Sequence, residues 1–152
     1  LSVLGAGWAI SQIAVLAPTM PRPEQARAGD GGIQSEPYTE ALLRAAKAEG
    51  PVFVNFTADW CITCKVNEVV AIDTEGTTEL FEALGVRYLK ADWTLEDPKI
   101  TAALARFGRV GVPLYLVYHR GSETPLILPQ ILTGEMIRQA LQTRAPAEIN
   151  DA

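Results

Sequence analysis

Cys61-Ile62-Thr63-Cys64 is the stretch of this chain best suited to chemistry, and it holds the only two cysteines. Thiols three residues apart span about one helical turn, so both sulfurs fall on one face of a helix. Their Cα atoms can then lie within the roughly 4.4–6.8 Å that a disulfide requires. The pair follows the strand-like run Val52-Phe53-Val54-Asn55-Phe56 and opens a helix-like run. At a helix start, unpaired N–H groups and the backbone dipole favour a thiolate over a thiol. These residues point to the making and breaking of one disulfide. A static structural bridge is the alternative reading of the same pair.

Composition narrows the remainder. A chain of 152 residues has room for one domain and little more. A formal charge of -5 and a pI near 4.9 argue against a nucleic-acid partner, which would need a basic face. One histidine and two cysteines are too few for a tetrahedral zinc site unless carboxylates or a second chain contributed. No metal or other cofactor is therefore expected beyond the Cys61–Cys64 disulfide itself. His119, the single histidine, reads as a surface residue at the end of a strand.

Several elements must position the cysteines. Residues 1–17 carry no charge and are expected to be the C-terminal part of a transmembrane helix beginning before Leu1. A cleaved signal core or an expendable apolar tail are the other readings. Residues 18–36 are rich in Pro and Gly and read as a flexible linker. Residues 37–143 form the domain, and 144–152 a C-terminal tail. Thr39 caps a helix to Glu49, with Leu42, Leu43 and Ala46 on one face and Gly50-Pro51 ending it. Val52 to Thr57 is a continuous apolar run, the pattern of a central strand buried on both faces.

Past the cysteines, Ile62, Val66, Val69 and Val70 mark one helical face. Thr78 to Leu84 reads as a second helix closed by Gly85, and Val86 to Ala91 as a strand. Asp97-Pro98 starts a helix whose stripe is Ile100, Ala103, Leu104 and Phe107. Leu114 to Tyr118 and Pro125 to Leu128 form a hairpin. A last helix runs from Thr133 to about Gln142. Parallel strands joined by helices, then a hairpin and a helix, make an α/β fold.

That order, with Cys-x-x-Cys at a strand-to-helix junction and Gly111-Val112-Pro113 opening a later strand, resembles the thioredoxin fold: a central mixed β-sheet flanked by helices. The run from Phe56 through Ala58-Asp59-Trp60-Cys61-Ile62-Thr63-Cys64-Lys65 to Glu68 is similar to one family in particular. It resembles the C-terminal periplasmic thioredoxin-like domain of DsbD-type transmembrane thiol:disulfide interchange proteins, including their Scs-type relatives. The resemblance implies a cis Val112-Pro113 bond, with Pro113 facing the disulfide. There it would present backbone to an incoming protein and keep metal from being captured between the thiols. It also implies a bacterial inner-membrane protein whose thioredoxin-like domain lies in the periplasm, with an apolar membrane segment ahead of it.

The chemical roles divide by position. Cys61, at the helix tip, is the expected attacking thiolate, and Cys64, one turn deeper, the resolving thiol. Ile62 and Thr63 add no charge, so Cys61 should be moderately activated, which suits a reductant. Glu68, four residues after Cys64, is placed to raise a thiol pKa or relay its proton; a solvated helix Glu is the plainer reading. Asp59 is expected to face solvent or cap the following helix. Trp60 is expected to shelter one side of the disulfide, while Lys90 falls near a strand position where some thioredoxins carry a Lys by the active site but reads more simply as a surface residue. Asn55 stands where thioredoxins carry a buried Asp six residues before the first Cys. Asn cannot exchange a proton at physiological pH, so a base would have to come from Glu68 or water.

The function this implies is a protein-disulfide reductase relaying electrons from thiols of an attached membrane domain to periplasmic thioredoxin-like or other disulfide-bearing proteins. A free or membrane-tethered reductase serving cytochrome maturation is the nearest alternative. A static bridge or a metal-chaperone module is the non-enzymatic one.

Overall fold

The computed structural model describes residues 33–143, so the apolar segment, most of the linker and the C-terminal tail expected from sequence lie outside the described residues. Eleven pieces of regular structure follow in order: β1 (Glu36–Pro37), α1 (Glu40–Glu49), β2 (Val52–Thr57), α2 (Ile62–Asn67), a π-helical turn (Glu68–Ile72), α3 (Glu75–Leu84), β3 (Arg87–Asp92), α4 (Pro98–Arg106), β4 (Leu114–Tyr118), β5 (Leu126–Leu128) and α5 (Gly134–Gln142).

The strands form one mixed sheet in the order β1-β3-β2-β4-β5. β3 runs parallel to both β1 and β2, whereas β4 is antiparallel to β2 and β5. β2 is central and all six of its residues are buried, which is why its sequence shows no polar alternation. Alternate residues feed two cores. Val52, Val54 and Phe56 face Leu43, Ala46, Ile100, Ala103 and Leu104 of α1 and α4. Phe53 points the other way, into Phe81, Tyr88, Tyr115, Ile137 and Leu141 from the sheet, α3 and α5. Ala71 and Ile72 of the π-helical turn join that second core.

Side-chain caps set most helix starts. Thr39, Thr74, Asp97 and Thr133 each accept a backbone N–H of the first turn of α1, α3, α4 and α5. Gly85 closes α3 at φ 64°, a left-handed conformation that glycine adopts without a Cβ clash. The helix expected from Thr78 begins three residues earlier, at Glu75, because Thr74 caps it. β1 has no counterpart in the sequence reading. Two residues beside a Pro/Gly-rich stretch carry no strand pattern, and Glu36 and Pro37 are recruited by pairing with Leu89 and Lys90.

The apolar face expected along α2 exists, but it points outward. Ile62, Val66, Val69 and Val70 do share a face, but it is the solvent face, exposed by 81, 52, 70 and 57% respectively. The inward residues are Cys64, Asn67, Glu68, Ala71 and Ile72. Polar Asn67 and Glu68 can point inward because the sheet beneath them offers partners, so hydropathy alone does not tell which side of α2 is covered.

Candidate active site

Cys61 is the N-cap of α2, and its Sγ accepts the Cys64 backbone N–H at 3.2 Å. The two sulfurs are joined in a disulfide with Cα atoms 5.2 Å apart. Cys61 is 8% exposed and Cys64 is fully buried, so an incoming thiolate can approach only Cys61. Ala58 packs against the pair, as does Val112 from the loop leading into β4. The Val112-Pro113 bond is cis, and Pro113 is buried.

Trp60 lies across the neighbouring surface. Its indole Nε1 donates to the Thr94 carbonyl at 3.2 Å, and its ring sits 5.9 Å from that of Trp93, tilted by 57°. Trp60 remains 55% exposed, offering apolar surface beside Cys61. The Asp59 carboxylate is exposed, 3.4 Å from Lys65 Nζ, and its backbone N–H donates to Thr94 Oγ1 at 2.9 Å. It does not cap α2; Cys61 does.

A polar cluster lies beneath the helix. β2–β3 register puts Asn55 beside Lys90, and β2–β4 register puts it beside Tyr115. Glu68 descends onto this row from the π-helical turn and is only 7% exposed. Its Oε1 accepts from Thr57 Oγ1 at 3.1 Å and Asn55 Nδ2 at 3.3 Å, and lies 3.2 Å from Lys90 Nζ. Its Oε2 lies 3.3 Å from Lys65 Nζ. Burial by itself would push the Glu68 carboxyl up, but the Lys90 and Lys65 ammonium groups and Thr57 outweigh it and hold the pKa below the ordinary range. Glu68 is thus a carboxylate at neutral pH, one helical turn past Cys64. Asn55 Nδ2 also donates to Tyr88 Oη at 2.9 Å, while its buried Oδ1 has no partner. Burial raises the Tyr88 phenol far above its usual range, so it stays protonated.

Asn67 anchors the other flank of α2. Its Nδ2 donates to Tyr115 Oη at 2.8 Å and to the Gln130 carbonyl at 2.7 Å, and its Oδ1 accepts the Leu132 N–H at 3.1 Å. Sequence reasoning missed Asn67, Thr57 and Tyr88, and favoured a surface position for Lys90. The Lys65–Glu68 spacing was a visible signal. The Lys90 contact was not, since it depends on β2–β3 register. Among the described residues no group of three or more His, Cys, Asp or Glu could hold a metal ion.

A disulfide at a helix tip, one sulfur accessible and one buried, beside a cis-proline loop on a mixed sheet, defines the thioredoxin class of dithiol–disulfide fold. The profile of thioredoxin-like domains matches residues 34–119, more than half of the chain, and the chain belongs to that family. The thiol:disulfide interchange protein DsbD of Pseudomonas fluorescens is 32% identical over 115 residues, covering 74% of this chain and 19% of that protein. DsbD of Neisseria meningitidis serogroup B is 31% identical over 96 residues, 62% of this chain and 16% of that protein. The chain therefore spans less than a fifth of the length of these curated relatives.

Among solved structures, the oxidised C-terminal domain of Neisseria meningitidis DsbD aligns with a TM-score of 0.53 at 26% identity. That alignment covers 70% of this chain and 99% of that domain. A thioredoxin from Thermus thermophilus aligns with a TM-score of 0.57 at 19% identity, over 72% of this chain and 85% of that one, a likeness of fold alone.

Proposed function

We propose that this chain is the disulfide-relay domain of a DsbD-type protein, a protein-disulfide reductase that receives electrons from thiols of an attached membrane-embedded domain and passes them to periplasmic disulfides. The observation that carries this reading is the asymmetry of the sulfur pair: Cys61 at the surface, Cys64 buried behind it. The similarity to DsbD proteins supports the assignment to a relay.

The cycle balances as two exchanges. A donor thiolate attacks Cys61 Sγ, forming a mixed disulfide and releasing Cys64 as the leaving thiolate, which takes a proton. The second donor thiolate attacks the donor sulfur of that bond. The donor leaves as a disulfide, and Cys61 and Cys64 hold two electrons as a dithiol. Cys61 then attacks the acceptor disulfide, and Cys64, deprotonated, attacks Cys61 Sγ to restore the original bond. The α2 N-terminus favours Cys61 as thiolate. In this reading Glu68 acts on the proton of Cys64, Trp60 and the loop at Pro113 receive the partner, and Asn55 and Asp59 support the site. The domain resides on the periplasmic face of a bacterial inner membrane, attached through the segment that precedes it.

The test is a trap. With Cys64→Ser, Cys61 has no resolving partner, so a stable mixed disulfide with the acceptor accumulates. Capture of the acceptor by Cys61→Ser instead would reverse the two roles. Failure of either variant to form any mixed disulfide, with wild-type Cys61–Cys64 inert to dithiols, would remove the relay reading.

A further inference from the structure

We infer that Asn55 Oδ1 is the hydrogen-bond acceptor for the reduced Cys64 thiol: unpaired while the disulfide is closed, it takes the Cys64 S–H when the disulfide opens. Asn55 thereby favours the dithiol form of the domain. The inference rests on the dithiol–disulfide cycle proposed above and gives one of its supporting side chains a defined task.

Asn55 is fully buried, and its Oδ1 has no hydrogen-bond partner among the described residues. A buried carbonyl oxygen left unpaired is costly, and such groups are few in folded proteins. The amide cannot turn over to cure the defect. Its Nδ2 donates to Glu68 Oε1 at 3.3 Å and to Tyr88 Oη at 2.9 Å. An ionised Glu68 can only accept, so the reversed amide would set two oxygens against each other. Neighbouring donors are directed elsewhere. Thr57 Oγ1 and Lys90 Nζ meet Glu68 Oε1, and Asn67 Nδ2 meets Tyr115 Oη and the Gln130 carbonyl.

Reduction creates one new donor in this interior. Cys64 is fully buried, and in the disulfide its sulfur carries no hydrogen. The Glu68 N–H bonds back to the Cys64 carbonyl, so the two side chains lie one turn apart on the inward face, with Cβ atoms about 6 Å apart. Glu68 reaches Asn55 and Thr57, which places Cys64 over the same end of β2. When the S–S bond breaks, the sulfurs part to van der Waals contact. Cys61 holds the surface side, so Cys64 Sγ moves toward the interior.

Two electrons from a donor dithiol and two protons convert the disulfide to two thiols, and the proton on Cys64 Sγ supplies the bond that Oδ1 lacks. Asn has no ionisable proton at physiological pH, so this contact holds the hydrogen on Cys64 and does not exchange it. Its removal, when Cys64 must attack, stays with Glu68.

The experiment equilibrates the full chain at pH 7 with mixtures of reduced and oxidised dithiothreitol and reads the fraction reduced by thiol alkylation. Wild type is compared with Asn55→Leu, which is close in shape and has no acceptor. Loss of the Nδ2 donor weighs on both redox forms alike, whereas loss of Oδ1 relieves the closed form and deprives the open one. The equilibrium should move about tenfold toward the disulfide, a fall in reduction potential of about 30 mV. A shift below about twofold, or one toward the dithiol, overturns the inference, since Oδ1 would then be served equally in both states, as by a buried water. Should the variant not fold, the wild type still decides: the Asn55 side-chain carbonyl 13C resonance should move downfield on reduction, and an unmoved resonance overturns the inference. Wild type that dithiothreitol cannot reduce at all would instead remove the dithiol–disulfide cycle itself.

Discussion

Asn55 donates its side-chain amide to Glu68 Oε1 at 3.3 Å, so the buried polar position below α2 holds one carboxylate and one neutral amide. A second carboxylate there would repel the first. Lys90, 3.2 Å from the same oxygen, balances the single charge. The pair makes Glu68 the ionisable carboxyl of the row formed with Asn55, Thr57 and Lys90.

Glu68→Gln should change both stability and reactivity with pH. The folded-state pKa of Glu68 lies below its ordinary 4.5. Its contribution is therefore fully present above the unfolded value and is lost as pH falls through the lower, folded one. The variant should lose this acid-side dependence, while Lys90 and Lys65, each about a third or more exposed and able to rehydrate, lose their shared partner at a cost of about 1 kcal/mol at pH 7. The pH profile of Cys61/Cys64 reduction should shift as well. Chemical denaturation from pH 3 to 8, with reduction kinetics over the range where the protein stays folded, checks both; an unmoved kinetic profile would take Glu68 out of the proton chemistry.

Asn55→Asp places two carboxyls about 3 Å apart, and they cannot both ionise freely. The pair should titrate as a unit, with one proton retained toward neutral pH. The raised folded pKa means that stability is kept below the unfolded value and lost as pH rises through the folded one. Destabilisation of roughly 2 kcal/mol is expected at pH 8 and less at pH 5. Urea midpoints at the two pH values distinguish this from a packing defect, which would cost the same at both.

Asn67→Ala should be among the costliest polar truncations near the site. It strands Tyr115 Oη, the Gln130 carbonyl and the Leu132 N–H, which one amide now satisfies. A loss of about 3 kcal/mol follows from leaving buried polar groups unpaired. Equilibrium unfolding measures it, and a loss below about 0.5 kcal/mol would mean that those groups find other partners.

Trp60→Phe removes the hydrogen bond to the Thr94 carbonyl but keeps an aromatic ring beside Trp93. Because Trp60 is largely exposed, stability should fall by no more than about 1 kcal/mol. Exchange with a protein disulfide should slow more than exchange with dithiothreitol, which is too small to use the ring. Parallel rate measurements with the two substrates check this, and equal slowing would confine Trp60 to a structural role.

Much of the fold was legible because local signals and tertiary needs agreed. Thr39, Asp97-Pro98 and Gly85 mark helix ends by chemistry that acts within one turn. The unbroken apolar run of β2 states that both sheet faces are covered. The cysteine spacing and its place after that strand were enough to locate the disulfide. Legibility failed where a residue answers to a distant partner. Val66, Val69 and Val70 look like core by hydropathy, and Asn67 looks like surface, yet their places are exchanged.

The amino-acid order by itself determined where a dithiol sits, which strand supports it and which sulfur leads its helix, since each depends on neighbours a few positions away. Only the folded sheet decided the electrostatics beneath it. Strand register brings Lys90 alongside Asn55, and the π-helical turn lowers Glu68 between them. Charges separated by 22 residues in the chain interact at 3.2 Å, and desolvation makes that contact count.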